Sequence, residues 1–90
     1  MIANAHAMIS GTVQGIFYRS AVRSRAKILF VNGWIKNLPD GRVEGVFEGD
    51  RDDVDELIDF CRTGHPQAAV LDIDVEWQRP RGNFIGFEIR

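Results

Sequence analysis

Residues 11–19 read GTVQGIFYR, and the fold turns on how that stretch divides. Upstream, residues 3–10 (ANAHAMIS) alternate Ala3, Ala5, Ala7 and Ile9 with Asn4, His6, Met8 and Ser10. A period of two places one set on the buried face of a strand. Downstream, from Phe17 to Phe30, the period changes. Tyr18, Val22, Ala26 and Leu29 recur at helical spacing, while Arg19, Arg23 and Lys27 share another face. GTVQGIFYR is therefore a strand-to-helix connection carrying two glycines. Glycine lets the backbone turn tightly and aim successive N–H groups at one point. A helix starting there adds unpaired N–H groups and the positive end of its dipole. Together these make a cradle for an anion, and Arg19 can clamp two phosphate oxygens with its planar fork of donors. Such connections are common, and a first-turn arginine is ordinarily solvated, so the loop needs a second signal.

That signal lies further along the chain. Gly33–Asn37 and Arg42–Gly49 read as two strands, joined by Leu38, Pro39, Asp40 and Gly41. Proline presets such a turn and glycine tolerates positive φ, so the pair is a hairpin. Asn37 ends its first strand. An asparagine amide both donates and accepts without titrating, so it can hold a water in a fixed orientation. Asn is also frequent ahead of turns for purely structural reasons. If the first strand and the hairpin are neighbours, Asn37 and the start of the helix can meet.

The remaining elements complete the order. Asp50 reads as the N-cap of a second helix, with Asp52, Asp53, Asp55 and Glu56 favourably placed for its dipole. Val54, Leu57, Ile58 and Cys61 form its apolar stripe, and Gly64 reads as its C-terminal cap. Leu71, Ile73, Val75 and Trp77 alternate with Asp72, Asp74 and Glu76, a half-buried strand with a wet face. RPRGN is a turn, and FIGFEIR a last strand with Ile85, Phe87 and Ile89 inward. The expected class is α+β: a ferredoxin-like β-α-β-β-α-β sandwich, an antiparallel sheet with two helices on one face and a short extra C-terminal strand. That fold carries many functions, so it does not decide the activity.

Bulk composition bounds the choice. Ninety residues are expected to form one domain, 1–90, with one core. Hydrophobic content of 44% and charged content of 27% belong to an ordinary globular chain. The net charge of −2 argues against a nucleic-acid partner, which calls for a clustered basic excess. Cys61 stands alone, which fits a reducing compartment. No apolar run of about 18 residues suggests a membrane span, and no signal peptide is readable. A cytoplasmic protein is expected.

At two stretches the chain resembles a known family. ISGTVQGIFYR, residues 9–19, is similar to the first signature of the acylphosphatases, and GWIKNLPDGRVEGVFEG, residues 33–49, is similar to their second. The Arg19-to-Asn37 spacing fits as well, and the likeness runs nearly end to end, to the closing GFEIR. The resemblance implies hydrolysis of acyl phosphates, which are mixed carboxylic-phosphoric anhydrides, to carboxylate and inorganic phosphate. It implies that Arg19 binds phosphate, that Asn37 orients the attacking water, and that the backbone amides of Gln14, Gly15, Ile16, Phe17 and Tyr18 form the cradle with Arg19. It implies no metal, no cofactor and no phospho-enzyme. A small free-standing acylphosphatase, monomeric, is the simplest expectation, since the chain begins and ends at the edges of the likeness. The sequence departs from the family pattern at Ile16, where valine is typical, and at Tyr18, where phenylalanine is usual and a hydroxyl is added close to the cradle. Ile35 replaces a less bulky residue. Phe30 stands where glycine is common, so Asn32 or Gly33 is expected to take the left-handed position after the helix.

Other candidates are weaker. Cys61 on the apolar stripe reads as core rather than nucleophile, and His6 and His65 lack metal-ligand spacing. Trp34 and Trp77 read as core or sheet-face aromatics rather than a base-stacking platform. An RNA-binding module would share the order of elements but not the charge or the aromatic-basic strand motif. A non-catalytic phosphate- or anion-sensing domain would keep the cradle but have no use for Asn37.

Overall fold

A computed structural model describes residues 1–90. The elements are β1 (Ile2–Thr12), α1 (Tyr18–Ile28), β2 (Asn32–Asn37), β3 (Val43–Asp50), α2 (Arg51–Thr63), β4 (Ala69–Gln78) and β5 (Phe87–Ile89). They form one five-stranded sheet in the order β4-β1-β3-β2-β5. The four longer strands are antiparallel to their neighbours, and β5 adds to β2 in parallel. This is the expected ferredoxin-like arrangement, made mixed by its last strand.

Period-two alternation sends Ala5, Ala7 and Ile9 of β1, Ile35 of β2, and Val43 and Phe47 of β3 into one core. The core's other wall is the helices: Tyr18, Val22 and Ala26 of α1, and Val54, Leu57, Ile58 and Cys61 of α2. The second helix starts as the sequence requires, with the Asp50 side chain accepting from Asp52 N–H at 3.2 Å. Gly64 caps its far end, its N–H donating to the Phe60 carbonyl at 2.7 Å. Its φ of −80° is right-handed, so the position makes no demand for glycine on that account.

Phe30, not Asn32 or Gly33, takes the left-handed position after α1, at φ 58°. The closure is a Schellman motif: Phe30 N–H donates to Lys27 O at 3.3 Å and Val31 N–H to Ala26 O at 2.9 Å. Buried Val31 fixes this geometry, and the chain enters β2 directly, so residue 30 adopts the left-handed conformation despite its Cβ. Its ring is 87% exposed and packs into no core. Phe30→Gly is therefore expected to stabilise the fold by about 1 kcal/mol, raising Tm by about 4–8 °C in thermal unfolding. An unchanged or lower Tm would mean the ring has a compensating contact.

Two inward expectations are corrected. Leu71 is 84% exposed, because the β1–β4 register shifts between Ser10 and Gly11, pairing Ser10 with Asp72 but Gly11 with Val70. The bulge turns Leu71 outward, and half-buried Val70 packs on the core in its place. Gly11 serves this bulge rather than the anion loop: at φ 128° a Cβ there would collide with the Ala69 carbonyl oxygen. Ile85 is 94% exposed, since pairing with β2 begins only at Phe87.

The segment before β5 is anchored by Glu48. Its carboxylate accepts from Asn4 Nδ2 at 3.0 Å, Arg81 N–H at 2.6 Å and Gly82 N–H at 2.9 Å. Burial pushes this carboxyl upward, but the three donors outweigh it and hold it below the usual carboxylate range. The anchor delivers β5, and with it Ile89 and Arg90, to the side of β2 and the start of α1.

Candidate functional site

Because β1 and β2 both run antiparallel to the β3 between them, their carboxyl ends lie at the same end of the sheet. Ile9 pairs with Val43, and Val43 with Asn37, in one row across β1, β3 and β2. The first strand and β2 are thus not direct neighbours; β3 intervenes. Asn37 shares the alternation of Gly33 and Ile35, which puts it on the helix-covered face. The connection from β1 to α1 passes over this end of the sheet.

Gln14 ties the two parts together. Its side-chain Nε2 donates to the Leu38 carbonyl at 2.9 Å and to the Arg42 carbonyl at 2.9 Å. Both acceptors flank the hairpin turn that follows Asn37. Sequence reasoning gave Gln14 only its backbone amide; a glutamine two residues past a strand carries no local sign of a partner 24 residues away. Gln14→Ala removes both bonds and frees the loop to shift against Asn37. Turnover is expected to fall roughly 10- to 100-fold through misplacement. Phosphate affinity should change little, as measured by kcat against competitive inhibition by phosphate; loss of phosphate binding alone would contradict this bracing role.

The loop itself contains alternating left-handed residues, Gly15 at φ 75° and Phe17 at φ 60°. Glycine at 15 was legible as a turn; Phe17 as the left-handed N-cap of α1 was not, and it shifts the helix start to Tyr18. The alternation turns successive amides toward one side. None of the N–H groups from Gln14 through Phe17 donates to another backbone group, and the first bond of the helix end is Ala21 N–H to Phe17 O at 3.1 Å. No acidic residue stands in the first turn of α1. The N-terminal dipole and its unpaired donors are left uncompensated by the protein.

Beside these amides lies a cleft of about 220 Å³, with Gly15, Phe17, Arg19, Ser20 and Ile89 among its walls. Arg19 projects from the second residue of α1, and its only hydrogen bond is a long one, Nη1 to the Arg90 main-chain oxygen at 3.4 Å. Ser20 and Ile89 are additions that sequence reasoning missed; Ile89 arrives only through the β5 pairing. Asn37 is not in the cleft wall but at the neighbouring strand end. Its Oδ1 is shielded and has no hydrogen-bond partner. Leaving a buried amide oxygen unpaired costs about 1–3 kcal/mol, so the strand, not a hydrogen bond, holds this side chain.

Tyr18 does not contribute its hydroxyl to the cradle. The side chain is buried under α1 and donates to the Cys61 carbonyl at 2.7 Å, and burial pushes the phenol well above its ordinary value. Burial likewise raises the Cys61 thiol to about 12, which removes it as a nucleophile at neutral pH. No three His, Cys, Asp or Glu side chains are gathered where they could share a metal ion.

Residues 5–89 match the family model described as Acylphosphatase. A protein named Acylphosphatase from Pelotomaculum thermopropionicum is 52% identical over 87 residues, covering 97% of this chain and 95% of the relative. Another, from Haloquadratum walsbyi, is 52% identical over 86 residues, covering 96% and 91%. The solved structure of an acylphosphatase from Coxiella burnetii superposes with a TM-score of 0.92 at 38% identity, covering 99% of this chain and 93% of that one.

Proposed function

The chain belongs to the acylphosphatase family and is an enzyme of acyl phosphate hydrolysis, and from that premise we propose that Arg19 binds the phosphate and Asn37 orients the attacking water, without a metal. The observation that carries this reading is the run of unpaired N–H groups from Gln14 through Phe17, ending at Arg19 in a helix start without an acidic residue.

The chemistry suits so sparse a site. The leaving carboxylate has a conjugate acid of pKa about 4, so no general acid is required. Phosphoryl transfer passes through a loose transition state and depends mainly on positioning and charge stabilisation. The amides of Gln14, Gly15, Ile16, Phe17 and Tyr18, with the Arg19 guanidinium, hold the non-bridging oxygens as charge shifts across them. The Asn37 amide, uncommitted to any protein partner, holds a water in line with the bond to the carboxylate. The water oxygen bonds to phosphorus, the phosphorus–acyl oxygen bond breaks, and the water's proton passes to a phosphate oxygen. Carboxylate and inorganic phosphate leave, and no phospho-enzyme forms.

The substrate in this reading is a small-molecule acyl phosphate, handled by a one-domain monomer in the cytoplasm, with no nucleic acid and no membrane. The net charge of −2 and the lone buried Cys61 support it, and no helix is long and apolar enough to cross a membrane. The test is hydrolysis of an aromatic acyl phosphate such as benzoyl phosphate with EDTA present. Undiminished turnover is expected. Activity that EDTA removes and a divalent cation restores would overturn the metal-free mechanism, and phosphate binding without any turnover would make the chain an anion sensor.

A further inference from the structure

On the sheet face turned away from the helices, Trp34 of β2 stands at the centre of a cluster that the reaction above does not use. Two cations lie over its ring, Arg90 with Cζ at 4.9 Å and Lys36 with Nζ at 5.4 Å from the centroid. Beside it opens a cleft of about 310 Å³, lined by Trp34, Val46, Arg81, Asn83, Phe84 and Arg90. The loop side of this cleft is held in place: Arg81 and Gly82 N–H bond Glu48, and Asn32 Nδ2 donates to the Phe84 carbonyl at 3.4 Å. Arg90 is partly balanced by Glu88, Nε to Oε2 at 3.7 Å. The Arg81 guanidinium takes part in none of the chain's ion pairs.

The residues around the cleft therefore include two aromatics, an asparagine and two arginines. Aromatic faces stack on bases, an amide reads a base edge, and guanidinium forks take phosphate. We propose that this cleft is a second binding site, for a nucleoside monophosphate: base against Phe84 and the Arg90 guanidinium stacked on Trp34, base edge at Asn83, phosphate at Arg81 and Arg90. A single nucleotide fits better than a nucleic-acid strand. Across β1 the same sheet face carries Glu76 opposite His6 and Asp74 opposite Met8, and these carboxylates repel a phosphate backbone running on over the sheet. The proposal does not depend on the assignments of Arg19, which lines the other cleft, and Asn37, at the strand end beside it.

The test is a titration followed by backbone and indole NMR shifts, using adenosine 5′-monophosphate on the full chain, first without inorganic phosphate and then with inorganic phosphate added to occupy the anion loop. Saturable shifts are expected at the Trp34 indole and at Arg81, Asn83 and Phe84. Adenosine and ribose 5-phosphate should each bind at least roughly tenfold more weakly, since each lacks one half of the recognition. Arg81→Ala should weaken the nucleotide roughly tenfold while leaving acyl phosphate turnover unchanged. The proposal fails if no saturable shift appears, or if shifts fall only on Gln14–Ser20 and vanish with phosphate. It fails equally if ribose 5-phosphate matches the nucleotide, which would mean an unspecific anion patch, or if an oligonucleotide binds more tightly, which would mean a strand-binding face.

Discussion

Replacing Arg19 by alanine is expected to abolish phosphate binding and to remove nearly all acyl phosphate turnover, by roughly 10³- to 10⁵-fold, the range for an arginine that stabilises phosphoryl-transfer charge. The loss belongs to function rather than folding. Arg19 is only part-buried and makes a single 3.4 Å bond to the Arg90 main-chain oxygen, so the variant should unfold within about 0.5 kcal/mol of the parent. Its partners in the cradle are backbone amides that no side-chain substitution removes, so some turnover should survive from them. Arg19→Lys restores the charge without the planar fork and should recover only a small part of the rate. Measuring kcat/KM and phosphate inhibition in the three proteins checks this. Turnover of Arg19→Ala within tenfold of the parent would remove Arg19 from the reaction.

Asn37→Ala should separate binding from chemistry. The loop amides and Arg19 remain, so competitive inhibition by phosphate is expected to stay within a few-fold of the parent. Loss of the group that positions the water should lower kcat by roughly 100- to 1000-fold, the usual cost of one such oriented polar group. Stability should rise slightly rather than fall, because the substitution removes a shielded Oδ1 that has no hydrogen-bond partner. Parallel loss of phosphate affinity and kcat would instead assign Asn37 to holding the phosphate.

Much of this was readable from residues alone, and the reasons differ by element. The change of period across GTVQGIFYR separated β1 from α1, and Asp50 with its following acids marked α2, because caps and faces are local properties. The roles proposed for Arg19 and Asn37 came not from the residues themselves but from the resemblance of two motifs in register. What escaped the sequence was set at long range. The bulge that turns Leu71 outward depends on Gly11 meeting Ala69 across two strands. Ile85 reads as part of a strand, but its pairing partner in β2 is used up at Gly33, which pairs with Phe87. Phe30 and Phe17 in left-handed conformations run against residue preference and are imposed by how α1 must enter and leave the sheet. The Gln14 side chain bridging to the hairpin, and the direction of the Tyr18 hydroxyl into the core, are likewise decided by partners 24 and 43 residues away.

The mechanism stands on displacement at a phosphorus held in the loop, and isotope tracing tests it directly. A single turnover of benzoyl phosphate in ¹⁸O-labelled water should place the label in inorganic phosphate and leave the benzoate unlabelled. Label in the benzoate would mean that water attacks the carbonyl carbon instead, and the roles given to the loop amides, Arg19 and Asn37 would be wrong.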